Sequence, residues 1–438
     1  MFSRKKSSLA AALLTLMLTA TACGGGGGDK PEGAAGTGNG VKETAKPEPV
    51  DLNFLFASDI ADFDKKYADH VRAKYPHINL KLVKMAPAEA IASNTPIDIL
   101  FNSITVLGQY VDVKLTRDIA DLAAAHKVDL SRFHPELLDT LKLVDNGKLI
   151  GLPQKSINLV MFYNKDLFDK FGVPYPKDGV TWEETAELAR RMTRLEDGVQ
   201  YRGFVGGLAQ MLGQNQYGLS LVDAKTNTTA YDKEQRWSSM FNTFKSLYAM
   251  SGYGATEDLL KDASQRDLFR KEKTAAMWVT DHSNFPPESD KLNWDVVSAP
   301  VFADKRTEGP AGVFTAYLVS ANSKHPDAAM LAIDALTSPE TQEWNARELL
   351  AVPTLKDRKI SESFAKGNPA FQGKNMKPFI PAKFAPAIAF NTHYTIARTP
   401  LVNNLNAFIV GKKDVNTAMR DATEEANKAI QAKVSSGK

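Results

Sequence analysis

Residues 145–192 read DNGKLIGLPQKSINLVMFYNKDLFDKFGVPYPKDGVTWEETAELARRM, and their order decides the fold. Asp145-Asn146-Gly147 is turn chemistry, because Asn and Gly tolerate positive φ. Leu149-Ile150 and Leu152-Pro153 then read as a short extended piece. Residues 159–163, LVMFY, are too short for a helix and rich in strand formers, so they read as a buried strand. Between the two, Gln154-Lys155-Ser156-Ile157-Asn158 is polar and holds no glycine for a tight turn, which predicts a crossing between buried strands. Asn164-Lys165-Asp166 opens a short helix that Pro174 and Pro176 stop. Thr181-Trp182-Glu183-Glu184 forms a Thr-x-x-Glu capping box ahead of an amphipathic helix.

Upstream, Arg4-Lys5-Lys6, an apolar run over residues 9–18 and small residues up to Cys23 make residues 1–22 a secretory signal, too short to span a membrane permanently. Cys23 is the only cysteine, so no disulfide forms within the chain. The preceding Ala20-Thr21-Ala22 resembles a bacterial lipobox, with Ala20 where leucine is usual, and this implies lipidation of Cys23. The rest of residues 23–50, beginning with five glycines, is poor in groups to bury and reads as a flexible tether with a reach of about 30 Å. Loss of the signal removes Arg4, Lys5 and Lys6 and leaves as many basic as acidic residues. The charges are interspersed, which argues against nucleic acid and against a polybasic membrane face.

From residue 51 onward the chain is long enough for two lobes. Strands over residues 51–57, 78–83 and 96–101, with a helix over 62–74, predict an α/β fold with a mostly parallel sheet whose ligand lies beyond the strand ends. The polar residues just past those ends are Ser58 and Asp59, then Asn102, Ser103 and Thr105. Helices are expected over 118–125, 135–144 and 231–250, where Trp237, Met240, Phe241, Phe244 and Leu247 form a core stripe. Strands follow over 295–300 and 315–320, and the tail, 380–410 and 414–434, reads as helical. There is no Gly-x-Ser-x-Gly, His-Glu-x-x-His or Walker loop, and Ser363-x-x-Lys366 lacks its partner motifs. His282 has no ligand cluster around it, so neither a metal nor a cofactor is expected.

The opening stretch closely resembles the carbohydrate-type extracellular solute-binding proteins, the kin of the maltose-binding protein. There a "Y-G-x-P" strand, "Y-N-K-D-L-F", a proline-rich turn and "T-W-E-E" follow one another. Gly151-Leu152-Pro153, Tyr163-Asn164-Lys165-Asp166-Leu167-Phe168 and Thr181-Trp182-Glu183-Glu184 stand here in the same order. Residues 266–277, RDLFRKEKTAAM, are similar to the family's "F-x-x-G-K-x-A-M", with Glu272 at the glycine, and Val352-Pro353-Thr354 matches its last crossing.

The resemblance implies a two-lobed periplasmic-binding-protein fold with three interlobe crossings: residues 51–155 with 298–350 as one lobe, 156–297 with 351–438 as the other. It implies a monomeric, non-enzymatic binding protein that delivers a carbohydrate to the membrane permease of an ATP-driven importer. Its cleft loop would be residues 278–285, with Trp278 and Phe285 stacking on sugar faces and Asp281 and His282 meeting hydroxyls. Gln154, Ser156 and Asn158 of the crossing, and the aromatics Phe314 and Tyr394, complete the expected ligand contacts. Two rival readings are an anchored surface glycan hydrolase working with paired carboxylates, and a binding protein for a polyol phosphate or polyamine.

Overall fold

The computed structural model describes residues 47–436. The signal, Cys23 and nearly all of the tether lie outside the described residues. In chain order the strands are β1 (Val50–Phe56), β2 (Ile78–Lys84), β3 (Ile99–Ser103), β4 (Leu152–Ile157), β5 (Leu159–Asn164), β6 (Arg194–Glu196), β7 (Val199–Gly206), β8 (Ala275–Asp281), β9 (Trp294–Ser298) and β10 (Val313–Val319). They form two five-stranded sheets, in the orders β2-β1-β3-β10-β4 and β6-β7-β8-β5-β9. Each sheet is the centre of one lobe of a mixed α/β, two-lobed fold.

The sheets are mixed, which corrects the expectation of a mostly parallel one. β1 runs parallel to β2 and β3, but β10 is antiparallel to both β3 and β4. In the second sheet only β7 and β8 are parallel. The cause is connectivity. A strand that leaves a lobe ends at the junction, whereas a strand that returns begins there, so departing β4 and returning β10 must oppose each other. Entering β5 and departing β9 are antiparallel for the same reason.

Local chemistry behaves as the sequence dictates. Asn146 and Gly147 take φ of 49° and 91° in the turn before β4. Thr181 Oγ1 accepts from Glu184 N, while the Glu184 carboxylate accepts from Thr181 N at 2.8 Å, completing the capping box of the helix Trp182–Met192. Glu272 in the glycine's place does not prevent the turn into β8, because neighbouring Lys273 adopts the left-handed conformation, φ 58°. The stripe Trp237, Met240, Phe241, Phe244 and Leu247 is buried.

Two features set up the site. On one face of the first sheet Phe54, Phe101 and Tyr317 pack against Phe63 and Tyr67. Phe63 and Tyr67 flank or belong to a turn of π-helix, Asp64–Ala68, that runs into the helix Asp69–Lys74. The second sheet is covered on both faces: Leu159, Met161 and Tyr163 join the larger core, whereas Val160 and Phe162 meet Phe364, Phe371 and Phe379.

Only part of the tail is helical. The helices are Tyr394–Ile409 and Val415–Ser436, and residues 380–393 are largely irregular. Pro381 and Pro386 lack the N–H that a helix ladder needs. The segment's backbone bonds run elsewhere, from Gly309 N to Lys383 O and from Ala385 N to Pro310 O. No described helix is long and apolar enough to cross a membrane.

Candidate functional site

Asn158 alone separates β4 from β5, so the ends of the two sheets face each other across one residue. Register identifies what lies at those ends. In the first sheet Thr315 pairs with both Ser103 and Lys155, and β1 ends at Phe56. In the second, Leu159 pairs with Asp281, Val160 with Ser298, and Val279 with Gly206. The space between these ends is the interlobe cleft, at the carboxyl ends of β1, β3 and β4, where α/β sheets present ligand sites.

The expected residues divide into three groups. Ser58 and Asp59 are exposed just beyond β1, and Asp59 pairs with Lys84 at 3.4 Å. Asn102, Ser103 and Thr105 are half-buried in one small network: Asn102 Nδ2 donates to Tyr110 Oη at 3.1 Å, and the Ser103 and Thr105 hydroxyls are 3.0 Å apart. These five lie at the mouth of the first lobe. The crossing residues form the second group and are bonded chiefly within the protein. Gln154 Oε1 accepts from Thr315 Oγ1 at 2.6 Å, and Ser156 Oγ donates to Asn158 Oδ1 at 2.6 Å. Asn158 N donates to His282 Nδ1 at 3.1 Å, and Asn158 Nδ2 to Phe379 O at 2.8 Å. All three are buried, which makes them pins of the crossing.

Among the aromatic candidates the faces of β8 decide. Residues 278 and 281 lie on opposite faces of a pleated strand. Trp278 is 3 % exposed, its ring 5.5 Å from Phe269 and 6.1 Å from Phe162, on the face covered by Phe371 and Phe379. Phe285 packs 4.7 Å from Phe371 on the same side. Phe314 is 0 % exposed. The structure therefore puts Trp278 and Phe314 in the core and Phe285 at its margin, apart from Asp281. For Trp278 and Phe285 the reason is that residues 364–379 return to cover the rear of the second sheet, whereas Phe314 is a β10 residue of the larger core.

Asp281 and Tyr394, in contrast, come together. Gln214 Nε2 donates to Asp281 Oδ1 at 2.7 Å, and the charge of Arg398 acts on both Asp281 and Tyr394. Burial raises the Asp281 carboxyl to about 6, with Asp262 adding to the rise and Gln214 and Arg398 opposing it. Gln214 Oε1 is buried and has no partner among the described residues. Next along the chain, burial and the nearby Lys155 push His282 down to about 4. With Nδ1 accepting from Asn158 N, the neutral ring carries its proton on Nε2.

Sequence reasoning passed over Gln214 and Arg398, which carry no motif. It also passed over Lys155, although this is the one charged residue of the crossing. Lys155 is half-buried, and burial and the charge of Lys66 lower its pKa. Among the described residues no three His, Cys, Asp or Glu side chains gather to hold a metal.

Two outcomes follow from these placements. Trp278→Ala removes a core ring and should cost about 3–5 kcal/mol of stability in urea unfolding, leaving ligand affinity of the folded fraction intact. Loss of affinity at unchanged stability would return Trp278 to the cleft. Asp281 holds its proton more tightly folded than unfolded, so wild-type stability falls as pH rises from about 4 to about 6. Above that window the penalty is roughly 3 kcal/mol, at 1.36 kcal/mol per unit. Asp281→Asn should therefore melt higher than wild type at pH 7.5, and the gap should close toward pH 4. A gap independent of pH counts against a buried, ionised Asp281.

A sequence profile described as bacterial extracellular solute-binding protein matches residues 57–343. The maltooligosaccharide ABC transporter solute-binding lipoprotein of Streptococcus pneumoniae (strain R6) is 24 % identical over 297 residues, covering 66 % of this chain and 67 % of its own length. A sugar transporter from Rhizobium etli, solved in an open conformation, superposes with a TM-score of 0.71 at 20 % identity, over 87 % of this chain and 99 % of its own. An ABC substrate-binding protein from Listeria monocytogenes, solved with cycloalternan, gives 0.68 at 17 % identity, over 88 % and 100 %. The two solved structures share the fold, and the profile spans most of the two lobes. This chain belongs to the bacterial extracellular solute-binding protein family, whose members bind solutes and are not enzymes.

Proposed function

We propose that the chain captures a sugar or oligosaccharide in the interlobe cleft and delivers it to the membrane permease of an ATP-driven importer. The observation that carries this reading is the one-residue junction at Asn158, which holds two polar-edged sheet ends face to face. On the first lobe the lining would be Ser58, Asp59, Asn102, Ser103 and Thr105, with the half-buried rings of Phe56 and Phe63 as flat apolar surfaces. On the second it would be half-buried Asp281, backed by buried Gln214 and Tyr394, whereas the His282 ring is turned against Phe364 and Phe379 behind the sheet and serves the junction. Micromolar capture needs about 8 kcal/mol, within reach of several hydroxyl hydrogen bonds and one or two ring contacts. The names of the pneumococcal relative and of the Listeria complex support a carbohydrate ligand, and the paired cations near the crossing speak against a polyamine.

Closure is the second part of the proposal. The first lobe keeps β4 through Ile157 and the second keeps β9 through Ser298, which moves the expected bounds at 155 and 298 by a few residues, and the two lobes would pivot on the crossings and enclose the ligand. A thermal-shift screen of saccharides should find a ligand that raises the melting temperature, since binding only the native state adds RT ln(1 + [L]/Kd). That ligand should also reduce the radius of gyration in solution scattering. Absence of any saccharide that stabilises the chain argues for a non-sugar solute, and an unchanged radius at saturation argues against closure.

Lipidation at Cys23 would hold this monomeric protein at the outer face of the cell membrane, and the word lipoprotein in the pneumococcal relative's name supports the anchor. Cys23→Ser should move the protein from the membrane fraction to the medium. Retention of the variant in the membrane places the anchor elsewhere.

A further inference from the structure

The rung Lys155–Thr315–Ser103 crosses the junction end of the first sheet. Directly opposed residues of antiparallel strands point to one face. The lysine therefore lies on the face that carries Tyr317, Phe101 and Phe54, at its cleft end. The π turn Asp64–Ala68 covers that face through Tyr67 and brings half-buried Lys66 close enough for its charge to act on Lys155. No carboxylate among the described residues counters that repulsion at Lys155. The acidic group on the opposite wall, Asp281, is already engaged by Gln214 and faced by Arg398.

Holding two ammonium groups together and partly out of water is unfavourable until an anion arrives. A spacer in the crossing could have been any apolar residue of similar length, so the fold does not need a charge there. On the same rung as Lys155, with β10 between, the hydroxyls of Ser103 and Thr105 bond to each other, which leaves one of the two O–H groups to donate outward. The site thus offers cations and a neutral donor, the complement of an oxyanion.

We infer that the cleft contains an oxyanion subsite formed by Lys155 and Lys66 with the Ser103–Thr105 hydroxyl pair, and that the ligand is a sugar bearing a carboxylate or a phosphate ester. This inference rests on the reading of the cleft as the sugar site. Phe56 and Phe63, half-buried on the same face of the first lobe, would take the apolar face of the sugar.

Calorimetric titration of the mature protein with maltotriose, trigalacturonate and glucose 6-phosphate tests it. One acidic probe should bind at least about tenfold more tightly than maltotriose, and the advantage should shrink with salt. Whether trigalacturonate or glucose 6-phosphate wins distinguishes a uronate from a phosphate ester. Lys155→Met should reduce the ratio of acidic to neutral affinity about tenfold, and Lys66→Met should reduce it in the same direction, with the melting temperature of each variant measured alongside to confirm that it is folded. Equal or tighter binding of maltotriose, with a ratio unmoved by either variant, overturns the oxyanion subsite and leaves the sugar-binding reading standing. Failure of all three probes to bind counts against both.

Discussion

Every polar atom of Asn158 is used. Its N–H reaches His282 Nδ1, its carbonyl accepts from His282 N at 2.8 Å, its Oδ1 accepts from Ser156 and its Nδ2 donates to Phe379 O. The residue is 0 % exposed, so each bond is made where an unpaired group would be costly. Those four bonds tie together the end of β4, the end of β8 and the segment at Phe379 that backs the second sheet. Asn158 is thus the residue at which the two sheets are most directly fastened to each other. His282 matters chiefly as its partner: a charged imidazole could not accept from Asn158 N, and burial keeps the ring neutral.

The same junction explains why the crossing is polar and yet closed to ligand. Gln342 Nε2 donates to Gln154 O, Thr354 Oγ1 donates to Pro153 O, and Ser156 N donates to Val352 O. The passing strands are fastened to each other by side chains and cross-links rather than by a continuous ladder. Lys155 is the exception, since its side chain has no such bond among the described residues, and burial and the charge of Lys66 lower its pKa.

Much of this architecture was legible in the sequence because it is local. The Asn146-Gly147 turn, the Thr181–Glu184 capping box and the strand of residues 159–163 depend on neighbours a few positions away, and each formed as expected. The failures were of another kind. Whether Trp278 or Asp281 faces the cleft depends on which side of β8 residues 364–379 return to cover, and period-two alternation cannot give the sign of a face. The same alternation could not tell that β10 enters its sheet from the junction end, which is why a mostly parallel sheet was expected. Residues 380–393 look helical by apolar content, but two prolines and bonds to residues 309 and 310 hold them in another conformation. Lys155 was visible as a letter, and only the sheet register puts it at the junction end of the face that the π turn covers.

The π turn Asp64–Ala68 carries one residue more than an α-helical turn would need for the same advance. Deleting one residue there would relax it to α geometry and turn everything on its N-terminal side by about 100° relative to the helix Asp69–Lys74. Phe63, and the approach to Ser58 and Asp59, would be re-aimed over the first lobe while both sheets and the Asn158 junction stayed as they are. A single codon gained or lost in this turn is therefore a route by which lineages sharing one scaffold can drift from one ligand to another.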